Sequence, residues 1–274
     1  MSKPHLTAPG QIARGIAAEH IRAGGLRSLL VYAGIPGVIV LPLLITFGIA
    51  YASERIAALN STEISVAAFP TENSAYWVLN FGAVAGALIA TYAQASSMRG
   101  ALGDVDRYLY PRSWTSTLAR WLYYGLLTAA VSLGLIAFLM AVLPVAFPEV
   151  YGDVDLTSMI GVRFLLTVPI YAFFACGFGI GLAGLIGHPA AAVAVLLFWI
   201  AIVEDAIIFI PNGGKVQAYM PFLNGIWGTG QFLVMTPPWG KDGALVWFGA
   251  VAVVIFLLGT GGVALRRRPR RARH

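Results

Sequence analysis

The sequence predicts an all-helical membrane protein with six transmembrane helices. Of its 274 residues, 58% are hydrophobic and only 11% are charged, and the mean hydropathy is +0.78. A soluble domain typically has about 25% charged residues. The apolar residues form six long runs, and the basic residues lie mainly between these runs and at the chain ends. The net charge of +6 therefore indicates membrane topology and not a nucleic-acid partner.

Each apolar run is long enough to cross a bilayer, since about 20 helical residues cover the hydrocarbon core. Pro36 and Pro42 in the first run favour kinks, because proline removes a backbone donor. The glycine-rich stretches 177–181 and 259–262 permit close helix contact. The single cysteine, Cys176, excludes an intrachain disulfide. The predicted spans cover residues 28–51, 76–97, 114–143, 159–185, 190–210 and 243–265.

The distribution of basic residues predicts the orientation of the chain. With six spans, 14 of the 18 Lys and Arg residues fall on one side of the membrane. Cytoplasmic loops carry an excess of basic residues, so we expect a multi-pass protein of the cell membrane with both termini in the cytoplasm. The basic residues outside this set are Arg55, Arg163, Lys215 and Lys241.

Besides the 98–113 loop, three segments flank or connect the spans of this single transmembrane domain. Residues 1–27 predict a cytoplasmic amphipathic helix on the membrane surface. Its Ile12, Ile16 and Ile21 lie roughly on one face, and Arg14, Arg22 and Arg27 lie mostly elsewhere. Residues 211–242 are half apolar but broken by glycine and proline, which predicts short re-entrant or interfacial helices on the outer side. Residues 266–274 form a basic cytoplasmic tail.

The loop 98–113 is the largest charged interruption between the apolar runs. Pro111 stops a helix from running straight through it. Arginines alone would serve to fix the topology, but the loop also contains acidic residues, and mixed charges suit a contact surface for another protein. The candidate contact residues are Arg99, Asp104, Asp106, Arg107 and Arg112.

Three charged residues lie in the predicted spans at positions near the outer side where a charge is expensive. Arg163 lies about five residues from the outer end of the fourth span, and Glu204 and Asp205 lie at a similar depth in the fifth. Because an unpaired charge there costs at least a few kcal/mol, we expect Arg163 to pair with Glu204 or Asp205. Such a pair could brace two helices or take part in substrate passage.

The sequence contains no motif for chemistry of its own. No stretch matches the phosphate-binding pattern GxxxxGK[ST], and there is no HExxH, CxxC or Gly-x-Ser-x-Gly. The four histidines lie at termini or membrane edges. We therefore expect no metal site, no bound cofactor and no enzymatic activity in this chain.

Two groups of residues resemble a known family. The first comprises Ser97-Met-Arg-Gly-Ala-Leu-Gly, Tyr110-Pro-Arg-Ser and Leu118-Ala-Arg. The second comprises Tyr219-Met-Pro-Phe-Leu-Asn-Gly, Thr236-Pro-Pro-Trp-Gly and the closing Arg266-Arg-Arg. In these motifs and in layout the chain resembles the membrane permease subunits of ATP-binding-cassette transporters, specifically the type-2 exporter permeases common in actinobacteria.

The resemblance implies a permease that works as a dimer, with an identical or paralogous second permease. Two copies of a separate ATPase chain would bind ATP and Mg²⁺, and the 98–113 loop would form a short coupling helix that contacts the ATPase. The expected partners are therefore this ATPase, the second permease and membrane lipid, with no nucleic acid. The alternative is a non-transporting six-span scaffold, immunity or signalling subunit.

Overall fold

The computed structural model describes residues 7–25, 28–58 and 70–267, and within these ranges every regular element is a helix. Six helices are long and apolar enough to cross a membrane, which confirms the helical class and the predicted number of candidate spans. These six are α2 (Leu30–Ala58), α3 (Val78–Ser96), α5 (Ser113–Ala146), α7 (Met159–Ile186), α8 (Pro189–Phe209) and α11 (Gly240–Arg267). The shorter helices are α1 (Ala8–Ala23), α4 (Gly100–Leu109), α6 (Pro148–Tyr151), α9 (Gly213–Gln217) and α10 (Pro221–Thr229). Arg27 and the tail 268–274 lie outside the described residues.

Helix α7 lies at the centre of the bundle and packs against α3, α5 and α11. Its core contacts are largely aromatic: Tyr171 packs on Phe248, and Phe178 packs on Phe222, which itself contacts Phe248. Helices α2 and α8 lie at the periphery, since only 22% and 17% of the residues in their most apolar stretches are buried. Their apolar outer faces are therefore available to lipid or to a second chain.

Helix α2 differs from its predicted form at both ends. Its first part, Leu30–Val40, is a π-helix in which the Leu41 N–H donates to the Pro36 carbonyl, so the wider turn accommodates the proline without a break. The helix then continues to Ala58, beyond the predicted end at residue 51. Glu54, which lies beyond that predicted end, is thus helical and accepts the first backbone N–H groups of α6.

The 98–113 loop and the 211–242 region also contain helices. Gly100, at φ +56°, allows the chain to turn from α3 into α4. Helix α4 ends just before Tyr110 and Pro111. In the 211–242 region, Pro221 occupies the first turn of α10 and Gly230, at φ +113°, ends that helix. The chain then reaches α11 without a further helix.

Helices α7 and α11 pack with their backbones in direct contact. A Cβ atom at Gly259 would lie 2.1 Å from the Gly181 carbonyl oxygen, and one at Gly184 would lie 2.6 Å from the Gly259 oxygen. The two glycine-rich stretches that the sequence suggested for close contact therefore meet each other.

Replacing Gly259 by alanine is expected to destabilise the protein by about 1–3 kcal/mol, because the added methyl group has to separate two backbones. The measurement is reversible unfolding in detergent, followed by circular dichroism. Gly261→Ala on the same helix is the matched control, since no atom lies within 4 Å of a Cβ there. Equal stabilities of the two variants would show that the contact at Gly259 is not tight.

Candidate functional site: a buried charge network

A deeply buried charge lies two turns into α5 at Arg120, with 2% of its side chain exposed. Its Nε donates to Glu19 of α1 over 2.8 Å. Its Nη2 donates to Asp106 of α4 over 2.6 Å, and its Nη1 donates to the Gln94 side chain of α3 over 3.1 Å. One guanidinium group thus joins four helices, and its planar fork suits several acceptors at once.

A second arginine reaches the same site from the end of α11. Arg267 donates through Nη2 to the second carboxylate oxygen of Asp106 and through Nη1 to the Tyr110 carbonyl over 2.9 Å. Ser116 of α5 also donates to Asp106, over 3.2 Å. Asp106 therefore bridges the first turns of α5 and the last turn of α11.

Glu19 is the second buried carboxylate of the network. Besides Arg120, it accepts from Arg22 over 2.7 Å and from the Tyr124 hydroxyl over 3.4 Å. Three guanidinium groups thus face two carboxylates, which leaves one positive charge in excess. Breaking up such a set is costly, because a buried charge without its partner loses hydration and gains nothing in return.

Helix α1 is held against α5 by a polar stripe. Gln11, Gly15 and Glu19 are its buried residues. A Cβ atom at Gly15 would lie 2.5 Å from the Ala119 Cβ, so the two helices approach closely. The polar stripe makes this contact because Arg120 and Tyr124, the partners of Glu19, lie on α5. Ile21, on the apolar side of the predicted amphipathic helix, is 79% exposed.

Helix α4 has the reverse of an ordinary amphipathic arrangement. Its buried residues are Gly103 and Asp106, followed by Tyr110 just after its end. The pKa of the Tyr110 hydroxyl is raised, chiefly by burial and then by the negative charge of Asp106. The opposite side of α4 is an exposed apolar surface formed by Ala101, Leu102, Val105, Tyr108 and Leu109.

The five predicted contact residues of this region have different environments. Asp104 and Arg107 are exposed and pair with each other. Arg99 and Arg112 are exposed at the ends of the α4 segment. Asp106 is buried in the network with 3% of its side chain exposed. This corrects its assignment as a contact residue, since its carboxylate already faces two arginines and cannot meet another protein.

Sequence reasoning did not select Glu19, Gln94, Arg120 or Arg267 as site residues. One signal was available, because Arg120 lies well inside an apolar run, where a charge needs a partner. In sequence, Glu19 lies 101 residues from Arg120 and Gln94 lies 26 residues from it. Arg267 lies 161 residues from Asp106. No local pattern connects residues at such separations.

The structure gives Arg163 a different partner from the expected one. Its Nη2 donates to Asp242 in the first turn of α11 and to the Gly228 carbonyl of α10, both over 2.7 Å. This corrects the predicted pairing with Glu204 or Asp205. The contacts of Glu204 explain the difference, because its carboxylate already accepts the Trp199 indole N–H and the backbone N–H groups of Phe222 and Leu223.

Glu204 instead caps the start of α10. It is 1% exposed and accepts the backbone N–H groups of Phe222 and Leu223 over 3.1 and 2.8 Å. The Trp199 indole N–H donates to the same carboxylate over 2.8 Å. A carboxylate at a helix N-terminus satisfies otherwise unpaired donors and the positive end of the helix dipole. Asp205, the next residue, is exposed.

Comparison of this chain with protein-family models, with curated proteins and with solved structures finds no match.

Proposed function

We propose that this chain is the permease subunit of an ATP-driven exporter, which forms the substrate pathway as a dimer and is driven by a separate ATPase chain. In this proposal α1, α4 and the end of α11 lie on the cytoplasmic side of the cell membrane. Helix α1 lies at the membrane interface, and α9 and α10 form an interrupted, re-entrant segment on the outer side. ATP and Mg²⁺ bind to the partner.

The observation that carries the proposal is the inverted amphipathicity of α4. The helix buries its carboxylate and exposes an apolar surface on which Tyr108 is 70% and Val105 is 48% exposed. The exposed Asp104–Arg107 pair flanks this surface. A partly apolar patch with a charged rim is the usual composition of a protein interface, so α4 suits a groove in a partner chain.

The network supplies the mechanical link that a driven permease needs. Through Asp106, a displacement of α4 acts directly on Arg120 of α5 and on Arg267 of α11. Helix α11 in turn packs on α7 by backbone contact at Gly181 and Gly259. A force applied to α4 therefore reaches three of the six long helices through buried contacts, which favours a rigid-body response over local bending.

The proposal requires that a neighbouring reading frame encode an ATPase with a phosphate-binding loop, and it is tested by co-purification of the chain with that ATPase. Val105→Glu combined with Leu109→Glu is expected to reduce co-purification of the ATPase at least about tenfold, because the change places two charges in an apolar contact. ATP hydrolysis by the assembled complex is expected to fall in parallel. The control is Val234→Glu, at an apolar residue that is 94% exposed in the connection before α11.

Three results would contradict the proposal. One is full ATPase binding and hydrolysis by the Val105/Leu109 variant. Another is a loss of ATPase binding in Val234→Glu as large as that in the Val105/Leu109 variant, which would indicate general instability. The third is a stable wild-type chain that binds no ATPase at all, as a non-transporting scaffold would. Asp106 is left unchanged in this test, because its replacement would disturb the buried network.

A further inference from the structure

Two cavities meet where α1, α2, α3 and α5 come together. The first, which we call the polar chamber, has a volume of about 150 Å³, and its wall includes Glu19, Arg22, Tyr92 and Ser96. The second, which we call the apolar slot, has a volume of about 200 Å³ and runs between α2, α3 and α5. Leu30 and Tyr124 belong to the walls of both, so the two cavities adjoin.

The polar chamber has a surplus of positive charge. Glu19 is already paired with Arg120 as well as with Arg22, so its charge is more than balanced. Among the described residues Arg22 uses only Nη1, toward Glu19. Its side chain is 35% exposed, so its other nitrogens can reach a ligand. A guanidinium group whose other nitrogens can reach a ligand suits a phosphate, which accepts several N–H groups at once.

The apolar slot has the opposite chemistry. Its wall is formed by aliphatic side chains and by Gly34 and Gly86, with Thr128 as its hydroxyl-bearing residue besides Tyr124. The slot lies within three helices that are long and apolar enough to cross a membrane. A cavity of this size could hold several waters, but waters need polar partners, and this wall offers few. A hydrocarbon chain is a better occupant.

We propose that these two cavities form a single binding site for an anionic phospholipid. The phosphate group occupies the polar chamber beside Arg22, and one acyl chain lies in the apolar slot between α2 and α5. Tyr124 marks the boundary, with its hydroxyl toward Glu19 and its ring in the shared wall. The bound lipid contacts the charge network, and it also contacts α4 through Leu102, which lines the chamber.

The arrangement favours a lipid over the other possible ligands. A free phosphate or nucleotide would leave the adjoining slot without an apolar group to fill it. An apolar drug-like molecule would make no use of Arg22. Only a molecule with a charged group next to a hydrocarbon chain complements both halves, and membrane lipid is the abundant molecule of this kind around a polytopic protein. The site does not depend on the proposed transport function.

The test is native mass spectrometry of the full-length chain in detergent, titrated with phosphatidylglycerol or phosphatidylcholine of equal chain length. We expect tighter binding of one phosphatidylglycerol molecule. Arg22→Gln should weaken this binding about tenfold, the loss of one charge-assisted contact. Arg14→Gln, at an exposed arginine on the same helix, should leave it unchanged.

The slot is tested separately by Leu127→Trp, which fills it, against Leu126→Trp. Leu126 is the next residue on α5, is 59% exposed and does not line the slot. Only Leu127→Trp should weaken binding of both lipids, and circular dichroism establishes that each variant is folded. The proposal would be overturned if Arg22→Gln and Arg14→Gln changed lipid binding equally. Equal changes from Leu127→Trp and Leu126→Trp would also overturn it. Displacement of the lipid by inorganic phosphate alone would also overturn the proposal, since recognition would then not involve the acyl chain of the lipid.

Discussion

Replacement of Arg120 by alanine is expected to lower the free energy of unfolding by about 3 kcal/mol or more. The substitution leaves Glu19 and Asp106 buried with fewer counter-charges, and it removes the donors that join α1, α3 and α4 to α5. Arg120→Lys should recover only part of the loss, because a single ammonium group cannot match a fork that serves three acceptors. Reversible unfolding in detergent, followed by circular dichroism, measures both effects.

Two matched controls separate the network from a general effect of charge. Arg112→Ala removes an exposed arginine from the turn that precedes α5 and should change stability by no more than about 0.5 kcal/mol. Asp106→Asn should be clearly destabilising, and Asp104→Asn, two residues away on the exposed side of α4, should not. If Arg120→Ala and Arg112→Ala were equally stable, the network would make no net contribution to the fold.

The six-span fold could be predicted from sequence because hydropathy is a sum over about 20 residues. Errors at single positions cancel in such a sum, so each long apolar run corresponds to one helix. The ends of the spans were less accurate. Helix α2 continues past its predicted end because Glu54 finds backbone partners at α6, and a tertiary contact of this kind leaves no trace in hydropathy.

The helix in the 98–113 loop illustrates how far local reasoning extends. Pro111 correctly limited the helix, which ends at Leu109. The loop charges were all assigned to the surface, because in sequence Asp104 and Asp106 look equivalent. They differ by two positions, about 200° around a helix, and the contacts with Arg120 and Arg267 decide which of them is buried.

Helix α1 and Arg163 show the complementary limit. In α1 the isoleucines indicated an amphipathic helix on the membrane surface, but they did not indicate the burial of Glu19, which depends on an arginine 101 residues away. For Arg163, its position along the predicted span indicated that a partner was needed, but that position does not say which residue supplies the partner. Asp242 was overlooked because it was assigned to the end of a connecting segment, whereas it lies in the first turn of α11.

Replacement of Glu204 by glutamine is expected to release the start of α10. The carboxylate accepts the N–H groups of Phe222 and Leu223 and that of the Trp199 indole, so two of the backbone donors at the helix start depend on it. Hydrogen bonds to a charged acceptor contribute about 1.5–3 kcal/mol each, and an amide retains only part of this. We therefore expect at least about tenfold faster hydrogen exchange at Phe222 and Leu223.

The matched control for this prediction is Asp205→Asn on the adjacent residue, which is exposed and should leave the exchange rates unchanged. Exchange within α7 provides the internal reference, because that helix has its own backbone hydrogen bonds and should respond to neither variant. Faster exchange confined to the start of α10 would show that the carboxylate anchors this helix to α8. Unchanged exchange in Glu204→Gln would instead mean that the packing of Phe222 against Phe178 and Phe248 holds the helix in place without the charge.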